Sequence, residues 1–553
     1  MTSIAVPKRN SPPAACPSGP ANERSAVRLF RRAPHASSRF GAIIGLVAAA
    51  LAGCLTPLAA ADEFVAKLNE PYAALPKAKR SDLVLLPVLA KLAEPPVAVG
   101  TLERARLLPA TASAFATAAD WAKAESQQAV LKAIADVTKE TEWRKSMEFG
   151  LPYGVDNTPQ EIIRSGLYSE LGDPPSLAGA DHRFLARLDA AGCLVNVEAT
   201  RLIAEGKPSD AVDVLLNWAG VCRQMADRAF FTEVEWGLSN LLVTFERIRD
   251  VAYTDSRGSK ALDTKRLLDQ IKRLLPAGVL DVDRLRLPNG DSVAVNQLVS
   301  RVYSGRGGPD EAAFGSTMAR LGAGKFPLRL MSESAKWRSA ASSQGTVFEV
   351  QDTGKAIFAD WNTRWTLSYF DRQQGTFTEY SKLDRTRFSV IDRAVPDFGR
   401  LFDLRQLALL ERIGTSHSLA LVGFLYTAKS FPPDASSVRP RWLKNIEDDP
   451  FSMDLRSRST FTLQYFVPVR DDNQNAREEE KPHEMNVVPA TGAAFSVRLR
   501  SDNMVVYSVG TDQVRNRARK VQNTSSLVQG ADYLIWPPML SLQRQNLMDR
   551  GDL

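Results

Sequence analysis

The chain has 553 residues, 44% hydrophobic and 24% charged, which are ordinary values for a globular protein. Its formal net charge is +7, but residues 1–40 hold Lys8, Arg9, Arg24, Arg28, Arg31, Arg32 and Arg39 against the single acid Glu23, a local excess of +6. The remainder is therefore near +1, which argues against a nucleic-acid-binding surface and leaves proteins or a membrane as the expected partners.

Residues 41–61 (GAIIGLVAAALAGCLTPLAAA) contain no charged side chain. A basic stretch, an apolar stretch and then small residues is the layout of a secretory leader, with the basic end left on the cytoplasmic side. Residues 1–61 therefore read as a leader or anchor, and the rest as exported: periplasmic, or membrane-anchored and facing away from the cytoplasm. Three fates fit. Ala59-Ala60-Ala61 forms a small-x-small cleavage site before Asp62, and Leu51-Ala52-Gly53-Cys54 resembles a lipobox that makes Cys54 a lipidation candidate. The third is retention, since an uncharged helix of 21 residues reaches about 31 Å and could stay in a bilayer. The plain alternative is a disordered N-terminus followed by a buried apolar helix.

From Asp62 to about Phe398 the periodicity is helical. Phe184, Leu185, Leu188, Ala191, Val195 and Leu202 recur at 3–4 spacing over 181–204, and Val212, Leu215, Leu216, Ala219 and Met225 over 209–230, with Ser209-Asp210 as the expected N-cap. Further helices are expected at about 232–252 and 261–275. We read 62–303 as a helical-hairpin domain and, after the break SGRGGP at 304–309, 304–398 as a mainly helical connecting region. Within the latter, TFTEYSKL also fits a strand. The array lacks a fixed period, so it is no true repeat protein, and arrays of this kind serve as scaffolds.

Four cysteines are present: Cys16, Cys54, Cys193 and Cys222. The midpoint of 193 and 222 falls on the break Gly206-Lys207-Pro208 between two helices, so the two thiols would stand at equal height in an antiparallel hairpin. In an exported chain that makes Cys193–Cys222 a disulfide candidate; two small buried core residues is the equal alternative.

Residues 399–553 change character. A helix at about 403–428 precedes the connector SFPPDASSVRPRWL, then Asp448-Asp449-Pro450-Phe451, then β runs at 459–469, 493–501 and 503–512, and finally GADYLIWPP at 530–538. The whole chain is thus expected to be α+β, a helical-hairpin array followed by a small helix-plus-antiparallel-sheet domain. The 22-residue stretch 470–491 between β runs reads as an inserted polar loop, solvated or in contact with the basic loop 515–520.

The order Phe431-Pro432, Asp449-Pro450-Phe451, Tyr507-Ser508-Val509-Gly510-Thr511-Asp512 and Asp532-Tyr533-Leu534-Ile535 resembles the globular domain of the major pseudopilins of type II secretion systems, over about a quarter of the chain. The assembly helix that opens such a pseudopilin is missing, so the resemblance implies a grafted module, not a filament subunit. It also implies a calcium loop with Asp512 and Asp532 as metal ligands. Calcium takes roughly six to eight oxygens. Gln513 stands where the family has glycine, and Arg515, Arg517, Arg519 and Lys520 oppose a divalent ion, so turn-capping is the alternative role for both acids.

No nucleophile, nucleotide or zinc motif is present, and no catalytic residue or cofactor is assigned beyond the calcium that the resemblance implies. Ser416 and His417 are helix neighbours that point apart, and Glu233 and Glu235 diverge for the same reason. The expectation is a non-enzymatic, exported bacterial envelope protein that scaffolds protein partners. The alternative is an exported hydrolase with its site scattered over the helical body.

Overall fold

A computed structural model describes residues 62–323, 329–454, 457–469, 482–523 and 530–553. The leader and Cys54 lie outside the described residues, as does the 470–481 part of the expected loop. Among the described residues no helix is long and apolar enough to cross a membrane.

The fold is α+β. Its principal helices are α1 (Glu63–Ala74), α2 (Phe184–Ala204), α3 (Pro208–Met225), α4 (Phe231–Arg257), α5 (Thr264–Leu274), α6 (Gly290–Val302), α7 (Val347–Thr366), α8 (Gly399–Ala428) and α9 (Met539–Asp549). Local chemistry sets their ends. Asp62 caps α1 by accepting from Phe64 N at 3.0 Å, Asp263 caps α5 by accepting from Lys265 N at 2.8 Å, and Thr346 and Glu349 form a capping box on α7. The hairpin turn between α2 and α3 closes on Gly206 at φ +73°, a left-handed conformation that glycine adopts without strain. Ser209 is not the cap of α3: the helix starts one residue earlier, at Pro208, and the Ser209 hydroxyl accepts from Asp263 N at 2.9 Å.

Helix α4 is the central post, with α3 against one side and α8 against another. Gly237 allows the first contact, because a Cβ there would sit 2.5 Å from Ala226 N. A single apolar cluster runs from Leu85 to Trp536 and takes in both α4 and α8. Residues 61–553 accordingly form one compact unit, with no break at the expected boundaries of 304 and 399. Helices from both sides of those positions bury their apolar stripes against each other, so neither part completes a core alone.

Among the described residues there are ten strands, taken in chain order. The pair β1 (Ser169–Glu170) and β2 (Asp181–His182) precedes α2, and β3 (Asp448–Met453) pairs with β4 (Thr460–Thr462). The remaining strands are β5 (Gln464–Phe466), β6 (His483–Val488), β7 (Phe495–Leu499), β8 (Val505–Ser508), β9 (Lys520–Gln522) and β10 (Asp532–Trp536). They form one sheet in the order β5-β8-β10-β9-β6-β7, in which β9 runs parallel to both β10 and β6. The sheet is therefore mixed, where an antiparallel one was expected. Its central strands are buried on both faces. Val506, Tyr533 and Ile535 join the main core, while Val505, Tyr507 and Leu534 meet Met539 and Leu542 of α9 in a second cluster. The two-residue side-chain period divides each strand between the two cores.

Two local expectations change. Residues 483–488 are strand, not loop: His483, Met485 and Val487 alternate inward, and the polar residues between them face out. TFTEYSKL, expected as helix with a strand as the alternative, forms a 3-10 turn at Tyr380–Lys382.

Candidate functional site

The segment after Phe149 is held like a strand by a side chain. Asn69 of α1 donates to Tyr153 O at 2.9 Å and accepts from Tyr153 N at 2.8 Å. This places the Tyr153 hydroxyl on Glu233, to which it donates at 2.6 Å. Arg228, in the turn between α3 and α4, has a side chain 1% exposed. Its Nε donates to Glu233 Oε1 at 2.9 Å and its Nη1 to Phe149 O at 3.1 Å. Its guanidinium carbon lies 4.5 Å from the ring centroids of both Tyr72 and Tyr153. The Nη2 atom has no hydrogen-bond partner among the described residues.

Burial by itself would raise the Glu233 carboxyl, but Arg228, then His182 and Tyr153, hold it below the usual carboxylate range. Burial lowers His182, against the opposing pull of Glu233. Ser169 Oγ lies 3.1 Å and Glu233 Oε1 3.6 Å from the same ring nitrogen, Nδ1. A serine relay needs the hydroxyl and the carboxylate on opposite nitrogens, so this trio does not form one.

Asp291, on the first turn of α6, accepts from Phe231 N at 2.9 Å. Burial, with Glu233 nearby, pushes its carboxyl up to about 7. The folded value exceeds the unfolded one, so its favourable contribution is complete below the ordinary carboxylate value and is lost as pH rises through the folded value. Asp291→Asn keeps the acceptor without the charge. Its stability should match the parent near about pH 4 and exceed it by roughly 2–4 kcal/mol near about pH 8. Urea denaturation at both values checks this; a gap independent of pH contradicts it.

Arg228, Tyr72 and Phe149 form one wall of a cleft of about 500 Å³. Arg223, Arg284 and Arg286 also line it. Arg223 donates from Nε to Asp281 O at 2.9 Å and pairs with Asp227. Arg284 donates to Gly278 O, lies 4.7 Å over the Trp143 ring, and keeps a buried Nη1 without a partner among the described residues. Four guanidinium groups thus line one cleft, and that of Arg286 is exposed and makes no ion pair among the described residues. Chemically this suits capture of an oxyanion.

The residues singled out from sequence lie elsewhere. Asp512 accepts from Val514 N at 3.0 Å and Gly530 N at 2.7 Å, and Asp532 accepts from Ala518 N at 2.7 Å. Both carboxylates therefore bind backbone amides, the turn-capping alternative, and no group of three metal-ligating residues occurs among the described residues. Burial pushes Asp532 up to about 6. Cys193 and Cys222 are free, buried thiols and not a disulfide. Cys222 meets Thr244 of α4, and burial raises Cys193 to about 11 and holds Cys222 well above the ordinary thiol value. Equal height in the hairpin leaves each thiol's direction around its helix axis undetermined, and that direction decides bridging. Glu233 and Glu235 diverge as expected, the latter to Arg400 at 2.5 Å. His417 is fully buried on α8, and burial followed by Arg412 lowers it to about 4.

The cleft went unread in the sequence. Its arginines come from the last turn of α3, the turn that follows it and the connector before α6, with no shared spacing, and each looks like a surface cation until the chain folds. Compared with family models, curated proteins and solved structures, the chain matches none of them.

Proposed function

We propose that this chain is an exported, non-enzymatic envelope protein that binds anionic partners at the arginine cleft. The observation that carries the reading is the convergence of Arg223, Arg228, Arg284 and Arg286 on one cavity, with Arg286 exposed and without an ion pair among the described residues. An oxyanion bound there gains charge-assisted hydrogen bonds from guanidinium groups. Export rests on the basic and apolar leader. The C-terminal region enters as an α+β buttress: its motif order is that of a pseudopilin domain, while the parallel pairings of β9 depart from the antiparallel sheet which that resemblance implies.

The binding half is tested by thermal melts in inorganic sulfate or phosphate against chloride at equal ionic strength. A rise in Tm corresponding to a Kd of roughly millimolar is expected. It should vanish in Arg286→Ala and persist in Lys355→Ala, on α7 away from the cleft. Equal melts in all three salts would refute this half. Fractionation with mass measurement of the N-terminus tests the other: the expected product sits outside the cytoplasm, and intact chain dissolved in the cytosol overturns export.

A further inference from the structure

We infer that the cleft takes an amphipathic monoanion, a small molecule with one carboxylate or phosphate head on an apolar body. The inference rests on the anion-binding reading above and names the class of ligand.

The head follows from charge. Most cations of the cleft already have a carboxylate at hand: Arg228 has Glu233 at 2.9 Å, Arg223 has Asp227, and Arg284 has Asp281 at 3.5 Å. Glu140 and Glu148 also line the opening. Arg286 is exposed and makes no ion pair among the described residues. Arg286 is thus the one arginine of the lining without a carboxylate partner among the described residues, which accommodates a single head group, while the surrounding acids oppose a polyanion such as a nucleic acid. The neighbouring guanidinium groups are also held before any ligand arrives. Two nitrogens of Arg228 are anchored on Glu233 and Phe149, and Arg284 is fixed by Gly278 O and by the Trp143 face. Orientation of this kind removes part of the ordering cost of binding.

The body follows from the walls. Val137, Met147, Phe149 and Val279 line the same cavity, and Trp143 is 46% exposed at its side. Guanidinium carbons of Arg284 and Arg144 lie 4.7 and 5.3 Å from the indole centroid, so its faces are engaged and an apolar ligand meets its edge and the aliphatic wall. A volume of about 500 Å³ suits a molecule of drug size, not a whole lipid. Inorganic anions satisfy the guanidinium groups but leave this apolar surface wet.

Calorimetric titration of the purified protein separates the parts. The probes are acetate and inorganic phosphate (head alone), octanoate and octyl phosphate (head with body), octanol (body alone) and citrate (polyanion). Octanoate or octyl phosphate should bind at least roughly tenfold more tightly than its bare head, and more tightly than octanol or citrate. The better of the two identifies the head chemistry. Arg286→Ala should weaken the amphipathic anion by roughly tenfold. Val279→Ser should bring it toward the bare head and leave the bare head unchanged, a readout that survives if the arginine variant folds poorly. If acetate or phosphate binds and the apolar chain adds nothing, the present inference fails while the anion-binding reading stands. Tighter binding of citrate has the same consequence. If no anion binds, both fail.

Discussion

Glu233→Ala should destabilise the protein by about 3–5 kcal/mol, a large share of the stability of an ordinary fold. The carboxylate is 0% exposed and accepts from Arg228 Nε, from Tyr153 OH and from Phe230 N. Its loss leaves the Arg228 guanidinium buried without a counter-charge and opens the first turn of α4. The same reasoning orders two further variants. Glu233→Gln retains an acceptor for Tyr153 and should lose less. Arg228→Met with Glu233→Met removes both charges and should lose less than Glu233→Ala, because the penalty lies in the orphaned cation and not in the absent pair. Because the folded carboxyl is depressed, the contribution is present above the unfolded value and fades as pH falls through the folded one, so the deficit should narrow in acid. Urea denaturation of the three variants checks the order. A Glu233→Ala deficit under about 1 kcal/mol would show that Arg228 finds other compensation.

Asp250→Ala is the second large loss, again about 3–5 kcal/mol. Asp250 is fully buried on α4 and accepts from Arg544 Nη1 at 2.8 Å, Arg544 Nη2 at 2.9 Å, Ser541 Oγ at 2.5 Å and Arg247. Burial would raise its carboxyl, but Arg544 and then Arg247 hold it well below the usual range. Arg544 and Ser541 belong to α9, so this carboxylate ties the final helix to the central post, and Arg544 extends the tie to Arg106 O at 2.7 Å. Removing it strands two cations and frees α9 from the sheet. Amide exchange across Met539–Asp549 should rise together with the loss of global stability. Unchanged protection there would mean that the contact of Met539 and Leu542 with the sheet suffices to hold α9.

Both predictions concern charges buried where sequence reasoning places surface residues. In α4 the run Glu246-Arg247-Ile248-Arg249-Asp250 reads as a solvated face, yet all four charged residues are buried. Arg249 donates to Ile535 O at 3.0 Å and Thr415 Oγ1 at 2.8 Å, joining α4 to β10 and α8. A helix surrounded on every side can bury its polar stripe only where each charge meets a partner, and those partners lie up to about three hundred residues away in sequence.

The helices were largely legible. The spacing of Leu188, Ala191 and Val195 predicts a helix over 181–204, and α2 spans Phe184–Ala204; the helices expected at 209–230 and 261–275 likewise match α3 and α5 within a few residues. Strand β7 was visible from Phe495, Val497 and Leu499. The strand β6 was hidden because acidic and polar neighbours dominate the composition of 470–491, although the inward positions His483, Met485 and Val487 alternate as a strand requires. The parallel partners of β9 had no local signal, since a three-residue strand carries too little pattern to choose its neighbours.

By itself the sequence determined what depends on near neighbours: the periodicity of the helices, the glycine turn at 206, the α+β order of elements and the charge contrast between the first 40 residues and the rest. Only the tertiary structure decided which charges are buried, which thiols face which helix, and that Arg228 and Arg284 border a common cleft. Local pattern acts through bonds and turns a few residues apart, whereas burial and electrostatic partnership depend on distances in space, which the chain acquires only when its elements pack.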